Sequence, residues 1–503
     1  MTDGASNAQC AELLDKAGSY LHSRGAYSSA RPLFERALAI REKVFGPEHP
    51  DTAASLNNLA GLLQDQGDLA GARPLLERAL AINEKVFGTQ DRMTATSLNN
   101  LARLFHAQGD LVGARRLSER ALAIREKVLG LEHPHTALSL NNLAGLLQDQ
   151  GDLAGARPFL ERALAITEKV LGPEHPETAA NLNSLASLLY AQGDLAGARP
   201  LYERALAINE KVLGPEHPET AAAVNNLASL LHAQRDLAGA LPLYERALAI
   251  AGNVLGPEHP YTAMALSNVA GLLQDQGDLE RARPLYERAL AIVEKALGPE
   301  HPETARGLTK FGDLLYAQGE LTGVRSLLER ALAIREKVLG AEHPDTATSL
   351  NNLARLLHAQ GDLAGVRPLL ERALAIREKV LGPEHIRTAL SLVNLAGVLE
   401  DQGDVAGAVF LRTTISRSPE RFFRARAWFS SWAAASSGLG CSLTLKEAQE
   451  AIATDWITGS RPTRSMSAAQ EQGPPLTGVL YSARQTPAYK RPSRRIRSRS
   501  SEA

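Results

Sequence analysis

The pattern Ser-Leu-Asn-Asn-Leu-Ala recurs along this chain at a fixed spacing of 42 residues, without insertion or deletion. Its Asn-Asn pair falls at Asn57-Asn58, Asn99-Asn100, Asn141-Asn142, Asn225-Asn226 and Asn351-Asn352. Degraded copies stand at Asn183-Ser184, Ser267-Asn268, Thr309-Lys310 and Val393-Asn394, and a divergent first copy at Asp15-Lys16, ten in all. A unit of this size cannot bury its apolar face alone, so successive units must stack into a continuous array. The 503 residues therefore come from repetition rather than from several domains. An array presents a long surface, which points to binding before catalysis.

Residues 52–93 show what one unit does. Leu56, Leu59, Ala60, Leu62 and Leu63 follow helical spacing, and Gly67-Asp68 ends that helix and caps the next. A second helix carries Ala72, Leu75, Leu76, Ala79, Leu80 and Val86 on one stripe and stops at Gly88. Other copies continue from that glycine as Pro47-Glu48-His49-Pro50 does, with a proline placed to open the next helix. Pro74 conflicts with this pattern, since it removes a hydrogen bond in the second turn; a kinked or late-starting helix is expected. The expected fold is all-α: a right-handed α-solenoid of stacked antiparallel helix pairs over 1–409.

These residues resemble the tetratricopeptide repeat, in its kinesin light chain-like variety. Leu56, Leu59-Ala60 and Leu63 fill the family's large and small places in the first helix, and Ala72, Leu76 and Ala79 those of the second. The extended second helix and the Pro-Glu-His-Pro loop match the longer light-chain repeat. The resemblance implies a protein-binding scaffold or adaptor in the cytoplasm, with extended peptides or partner proteins on the concave face. Two departures matter. The chain enters its first repeat within about a dozen residues, without the heptads that join light chains to a motor. It also lacks the phosphate-binding Gly-x-x-x-x-Gly-Lys-Ser/Thr of the nucleotide-binding modules that accompany such repeats in bacteria.

By the same resemblance, the first Asn of each pair lies on the concave wall, with the residues four and seven places later. That ladder reads Asn57, Asn99, Asn141, Asn183, Asn225 and Asn351, with Ser267 and Thr309 interposed. Amides donate and accept together, which suits the backbone of an extended peptide; duplication without a ligand explains the ladder equally well. The two outer columns vary together. They pair Gly61 with Gln64, Arg103 with His106, Ser187 with Tyr190, Ser229 with His232, Asp313 with Tyr316 and Arg355 with His358. Arg103 and Arg355 suit carboxylates, and Tyr190 and Tyr316 are aromatic anchors. An acidic or aromatic-containing peptide would fit them; solvated faces drifting neutrally are the alternative. The second Asn is expected to bridge neighbouring helices.

No cofactor is implied. The eight Glu-His dipeptides sit one repeat apart, roughly 10 Å, too far to share a metal, and read as loop caps. The Arg-Glu-Lys runs, such as Arg335-Glu336-Lys337, read as a solvated face. Cys10 and Cys441 make no framework, and neither a signal peptide nor a membrane span is visible. The net charge of −1 hides a basic end: 410–503 carries fifteen Lys/Arg against six Asp/Glu, all three tryptophans and no histidine. Near Phe410 the repeat fails midway through a second helix. Three readings of the remaining residues stay open. Residues 410–456 would supply capping helices, built on Phe422, Phe429 and Trp432. The run Lys490–Arg499 would bind nucleic acid or an acidic partner, within a disordered basic tail over 457–503. Or the reading frame has shifted and the tail has no role.

Overall fold

The computed structural model describes residues 2–416, all in helices and short turns. The first five pairs are α1 (Thr2–Ser23) with α2 (Tyr27–Phe45), α3 (Pro50–Asp65) with α4 (Leu69–Phe87), α5 (Arg92–Ala107) with α6 (Leu111–Leu129), α7 (Pro134–Asp149) with α8 (Leu153–Val170), and α9 (Pro176–Ala191) with α10 (Leu195–Val212). The other five are α11 (Pro218–Ala233) with α12 (Leu237–Val254), α13 (Pro260–Asp275) with α14 (Leu279–Leu297), α15 (Pro302–Ala317) with α16 (Leu321–Val338), α17 (Pro344–Ala359) with α18 (Leu363–Val380), and α19 (Ile386–Asp401) with α20 (Val405–Ser416). Each helix packs on the one before and the one after. Several successive odd helices also meet directly, which even helices do not do to the same extent, so the odd helices form the inner wall. Among the described residues no helix is long and apolar enough to cross a membrane.

Local chemistry sets these boundaries. The histidine of the Pro-Glu-His-Pro loop is the N-cap of each odd helix, its Nδ1 accepting from the backbone N–H two residues on (3.2 Å from Asp51, 3.1 Å from Glu177, 3.0 Å from Asp345). Where Asp91 replaces it, the carboxylate caps Met93 at 2.7 Å. Two residues after the proline, a buried threonine donates back into the loop, Thr52 to the Gly46 carbonyl at 2.9 Å and Thr220 to Gly214 at 2.7 Å. The tight turn inside each pair needs a left-handed residue, Gly67 at φ 76°, a role that Arg235 takes at φ 64°. Asp68 then caps α4 through Gly71 N–H at 2.8 Å. The even helix does not start late. Pro74 lies inside α4, exposed, so the carbonyl it leaves unpaired faces water.

The core is a column per position. Leu59, Leu101, Leu143, Leu185, Leu227, Val269, Leu353 and Leu395 are all buried, as are Ala72, Leu76 and Ala79. Leu75 and Leu80 are half-buried, however, and Val86 is 47% exposed, because the far end of each even helix outruns its neighbours.

A second layer of packing joins each even helix to the next odd one, and here the arginine of the Arg-Glu-Lys run is not solvated. Arg125, Arg335 and Arg377 are 5%, 7% and 1% exposed and donate to Ser139, Ser349 and Ser391 at 2.8, 2.6 and 2.8 Å. Burial lowers the pKa of Arg125 to about 10. Elsewhere the same two columns hold Asn83 with Ser97 (2.8 Å), Thr167 with Asn181 (3.1 Å), Ala251 with Ala265 and Val293 with Gly307. Size and polarity are exchanged between partners, as close packing requires. The Glu and Lys of the run do face water, but in cross-repeat pairs: Arg372–Glu336 at 2.6 Å and Lys337–Glu300 at 2.5 Å.

The solenoid coils tightly enough to touch itself. Gly25, Gly67, Gly109 and Gly151 each lie against a histidine about five and a half repeats further on: His259, His301, His343 and His385. His301 Nε2 meets the Asp65 carbonyl at 3.2 Å across 236 residues. His259 makes the matching contact with the Ser23 carbonyl, and Arg24 Nη1 reaches the Val254 carbonyl at 2.5 Å. With Nδ1 used as a cap, Nε2 carries the proton, so His259 and His301 donate across the seam while capping their own helices.

The repeat fails in sequence near Phe410, yet α20 runs on to Ser416. The capping helices expected over 410–456 otherwise fall outside the described residues, as does the basic tail over 457–503.

Candidate peptide-binding wall

The first-Asn ladder lines the inner wall but sits deep in it. Asn99, Asn141, Asn225 and Asn351 are 6%, 8%, 8% and 4% exposed; Asn57 and Asn183 are half-buried. Part of the ladder is held by the protein itself. Asn57 Oδ1 accepts from Asn100 at 3.2 Å and Asn225 Oδ1 from Asn268 at 2.7 Å, so the second Asn of one repeat bonds the first Asn of the repeat before. The Asn99 amide oxygen takes Arg125 Nη1 at 2.9 Å. In the divergent first copy Asp15 holds this place and pairs with Arg41 at 2.5 Å. Burial raises the pKa of Asp15, against the pull of Arg41. Among the described residues, the ladder oxygens Asn141 Oδ1 and Asn183 Oδ1, of consecutive repeats, are buried with no hydrogen-bond partner, as is Asp15 Oδ1 in the first copy.

The outer columns carry a pattern that comparison of single columns does not reveal. His22, His106, His232 and His358 each meet an aspartate of the following repeat: Asp65 at 2.6 Å, and Asp149, Asp275 and Asp401 at 2.7 Å. Burial opposes charging of His106, but the hydrogen bond and charge of Asp149, with Asp345 adding, hold its pKa above the usual imidazole value. Arg355 pairs with Asp313 of the repeat before and lies 5.3 Å over the Tyr316 ring. Arg103 has Gly61 where Arg355 has Asp313, and makes no hydrogen bond or ion pair with any described residue. Tyr190 packs beside Tyr202 and Leu227, its hydroxyl pushed up to about 12 by burial.

The histidines of the outer column thus have a structural cause, because each His copy is followed by a copy that supplies Asp. Of the five aspartates, all but Asp313 are residues that reading the columns separately missed. Reading neighbouring repeats in pairs would have found four of them, since Asp65, Asp149, Asp275 and Asp401 each stand one repeat beyond a histidine. Among the described residues, no group of three or more His, Cys, Asp or Glu is placed to hold a metal.

The tetratricopeptide repeat (TPR) profile matches residues 9–85, 51–127, 93–169, 135–211, 180–253, 219–272, 261–323 and 315–379. This chain belongs to the tetratricopeptide repeat family. Among solved structures, this TPR chain is similar to a Podosopora anserina putative kinesin light chain with nearly identical TPR-like repeats. That match has 32% identity and TM-score 0.35, over 41% of this chain and 97% of that one. BtubC (BKLC) from P. vanneervenii is similar at 24% identity and TM-score 0.38, over 47% of this chain and 92% of that one. A Rap protein complexed with Competence and Sporulation Factor is similar at 14% identity and TM-score 0.47, over 75% and 99%. Comparison with curated proteins gives no significant match.

Proposed function

We propose that this TPR solenoid is a non-enzymatic scaffold that holds extended peptides or partner proteins on its inner wall. The observation that carries the reading is the pair of orphan oxygens, Asn141 Oδ1 and Asn183 Oδ1. A buried acceptor without a donor costs about 1–3 kcal/mol, and the N–H of a bound backbone removes that cost once the amide turns outward to meet it. Packed helices stand roughly 8–10 Å apart, which an extended chain covers in about three residues. One strand therefore reaches both amides. Arg103, without a carboxylate partner among the described residues, and the ring of Tyr190 two repeats further on favour a strand that carries an acid and an aromatic group.

The test is an array of short peptides tiled from the source proteome, probed with the wild type, with Asn141→Ala/Asn183→Ala, and with Arg103→Ala. Selected peptides should be lost from the double variant, while its thermal stability holds or rises, since an unsatisfied acceptor has been removed. The peptides lost with Arg103→Ala should be the acidic ones. An array that reads the same for all three proteins refutes the proposal. A second reading, nucleic-acid binding, rests on the basic run Lys490–Arg499. It predicts strongly salt-dependent binding that is lost when 484–503 are deleted.

A further inference from the structure

The turn-to-turn seam is made of parts that most repeats possess, yet only some of them are used. Gly25, Gly67, Gly109 and Gly151 each receive a histidine from the following coil. Gly277, Gly319, Gly361 and Gly403 are turns of the same left-handed shape in the last coil, with no described residue where the histidine would sit. At the opposite edge, His133 and His175 cap their own helices in the first coil, and no described residue receives their Nε2. The two ends of the molecule are thus complementary by the interface that already joins its coils.

Among the described residues, one face of α1 also lies uncovered. In every later repeat the odd helix is covered by the even helix before it, which buries Thr52, Ser55, Leu59 and Leu62 in α3. The corresponding residues of α1 are Cys10, Leu13, Ala17 and Tyr20, and all four are exposed, Leu13 and Tyr20 at 65% each. Arrays that stay separate cover such an end with a polar cap; here it presents an apolar edge.

We infer that this surface receives a second copy of the chain, joined head to tail, with α1 of the second copy following α20 of the first as the next odd helix would. Both observations meet in that register. It sets His133 and His175 of the second copy over Gly319 and Gly361 of the first, in the relation that His343 bears to Gly109. The contact is heterologous and does not close, so it propagates into an open, tubular filament that continues the superhelix.

Sedimentation velocity of the full-length protein across a wide concentration range tests this. The wild type should show concentration-dependent growth beyond dimers. Tyr20→Asp changes an exposed residue, so folding should hold by circular dichroism while self-association falls at least a hundredfold. His133→Asn/His175→Asn keeps both caps, since asparagine is a good N-cap, and should weaken assembly about tenfold or more through two lost hydrogen bonds. Mixing separates this geometry from a symmetric one. A Tyr20→Asp chain still offers an intact last coil, so with wild type it should form mixed complexes that stop growing. Three results each overturn the inference. A wild type that stays monomeric would leave the end vacant or covered by the chain's own 417–503. Assembly indifferent to both variants would lie elsewhere. Failure of Tyr20→Asp to join the wild type would mean that two α1 faces pair symmetrically.

Discussion

Separating the two jobs of the seam histidines tests how the superhelix holds its pitch. In His259→Asn/His301→Asn/His343→Asn/His385→Asn the shorter side chain still caps the odd helix, where asparagine ranks with the best residues. It no longer spans to the coil below, which His301 reaches at 3.2 Å. Each neutral hydrogen bond contributes about 1 kcal/mol net, so the two that His259 and His301 make remove about 2 kcal/mol, roughly thirtyfold in the ratio of closed to open coils. Stacking of neighbouring repeats is untouched, since no core column includes these residues. The melting transition should therefore stay near that of the wild type while the coil lengthens. Small-angle X-ray scattering, at concentrations low enough to keep the chain monomeric, reads that change as a larger radius of gyration and maximum dimension. The control is His49→Asn/His133→Asn/His175→Asn, the same chemistry in the first coil, where no earlier turn lies beneath. Its scattering should match the wild type. If the seam variant scatters like the wild type, the pitch is set by stacking alone and the seam contact is incidental. If the control expands equally, the effect belongs to the caps.

Acid should open the same seam. His259, His301 and His343 are held neutral chiefly by burial, with Arg24 facing the first, Glu303, Asp65 and Arg306 the second, and Asp345, His106, Arg335 and Arg387 the third. Their pKa values are lowered, so below 6.5 the open coil takes up protons that the closed one refuses, and closure weakens as pH falls; scattering at pH 5.5 against pH 7.5 should show expansion. His106 titrates in the opposite sense: its raised pKa makes the Asp149 pair most stabilising below 6.5, and that contribution is lost as pH rises through the folded value. NMR titration of its ring protons should place the midpoint above 6.5, and Asp149→Asn should bring it down. Leu227→Asp buries a charge among Tyr202, Leu189 and Leu230, at a cost of several kcal/mol. Hydrogen exchange should rise in α9 to α12 before the ends of the array, and uniform exchange would show that the repeats do not uncouple. Arg377→Ala removes a 1% exposed guanidinium and leaves Ser391 without its donor, so a loss of about 1–3 kcal/mol is expected in urea melts.

Legibility in the sequence tracks the range of the interaction concerned. Leu59 and its ladder, the Asp68 cap and the role of Gly67 depend on residues within one unit or its immediate neighbour, and a fixed period displays those directly. The buried arginines were misread as solvent-facing because charge run and amphipathic pattern agree for Glu336 and Lys337. Only the serine fourteen positions on, Ser349 for Arg335, reveals the exception. The Asn ladder was expected on the concave wall by resemblance, but how each amide is held there depends on its neighbour, Arg125 for the Asn99 oxygen and no hydrogen-bond donor among the described residues for Asn141 Oδ1.

The seam lies beyond any such reading. The loop around His133 and the loop around His301 have nearly the same sequence, and both histidines cap a helix; one of them also closes a coil. What distinguishes them is the rotation accumulated over five and a half repeats, to which every stacking contact adds a small angle. No single residue encodes that sum. A property of this kind is set by the whole array, so a substitution that alters one stacking angle, such as exchanging the Val293–Gly307 pair for the Arg–Ser pair of its neighbours, should shift every later seam contact out of register together. Expansion in scattering without loss of local protection at the altered repeat is the signature to look for; expansion accompanied by local unfolding there would mean that the new pair fails to pack, leaving the coil-wide argument without support.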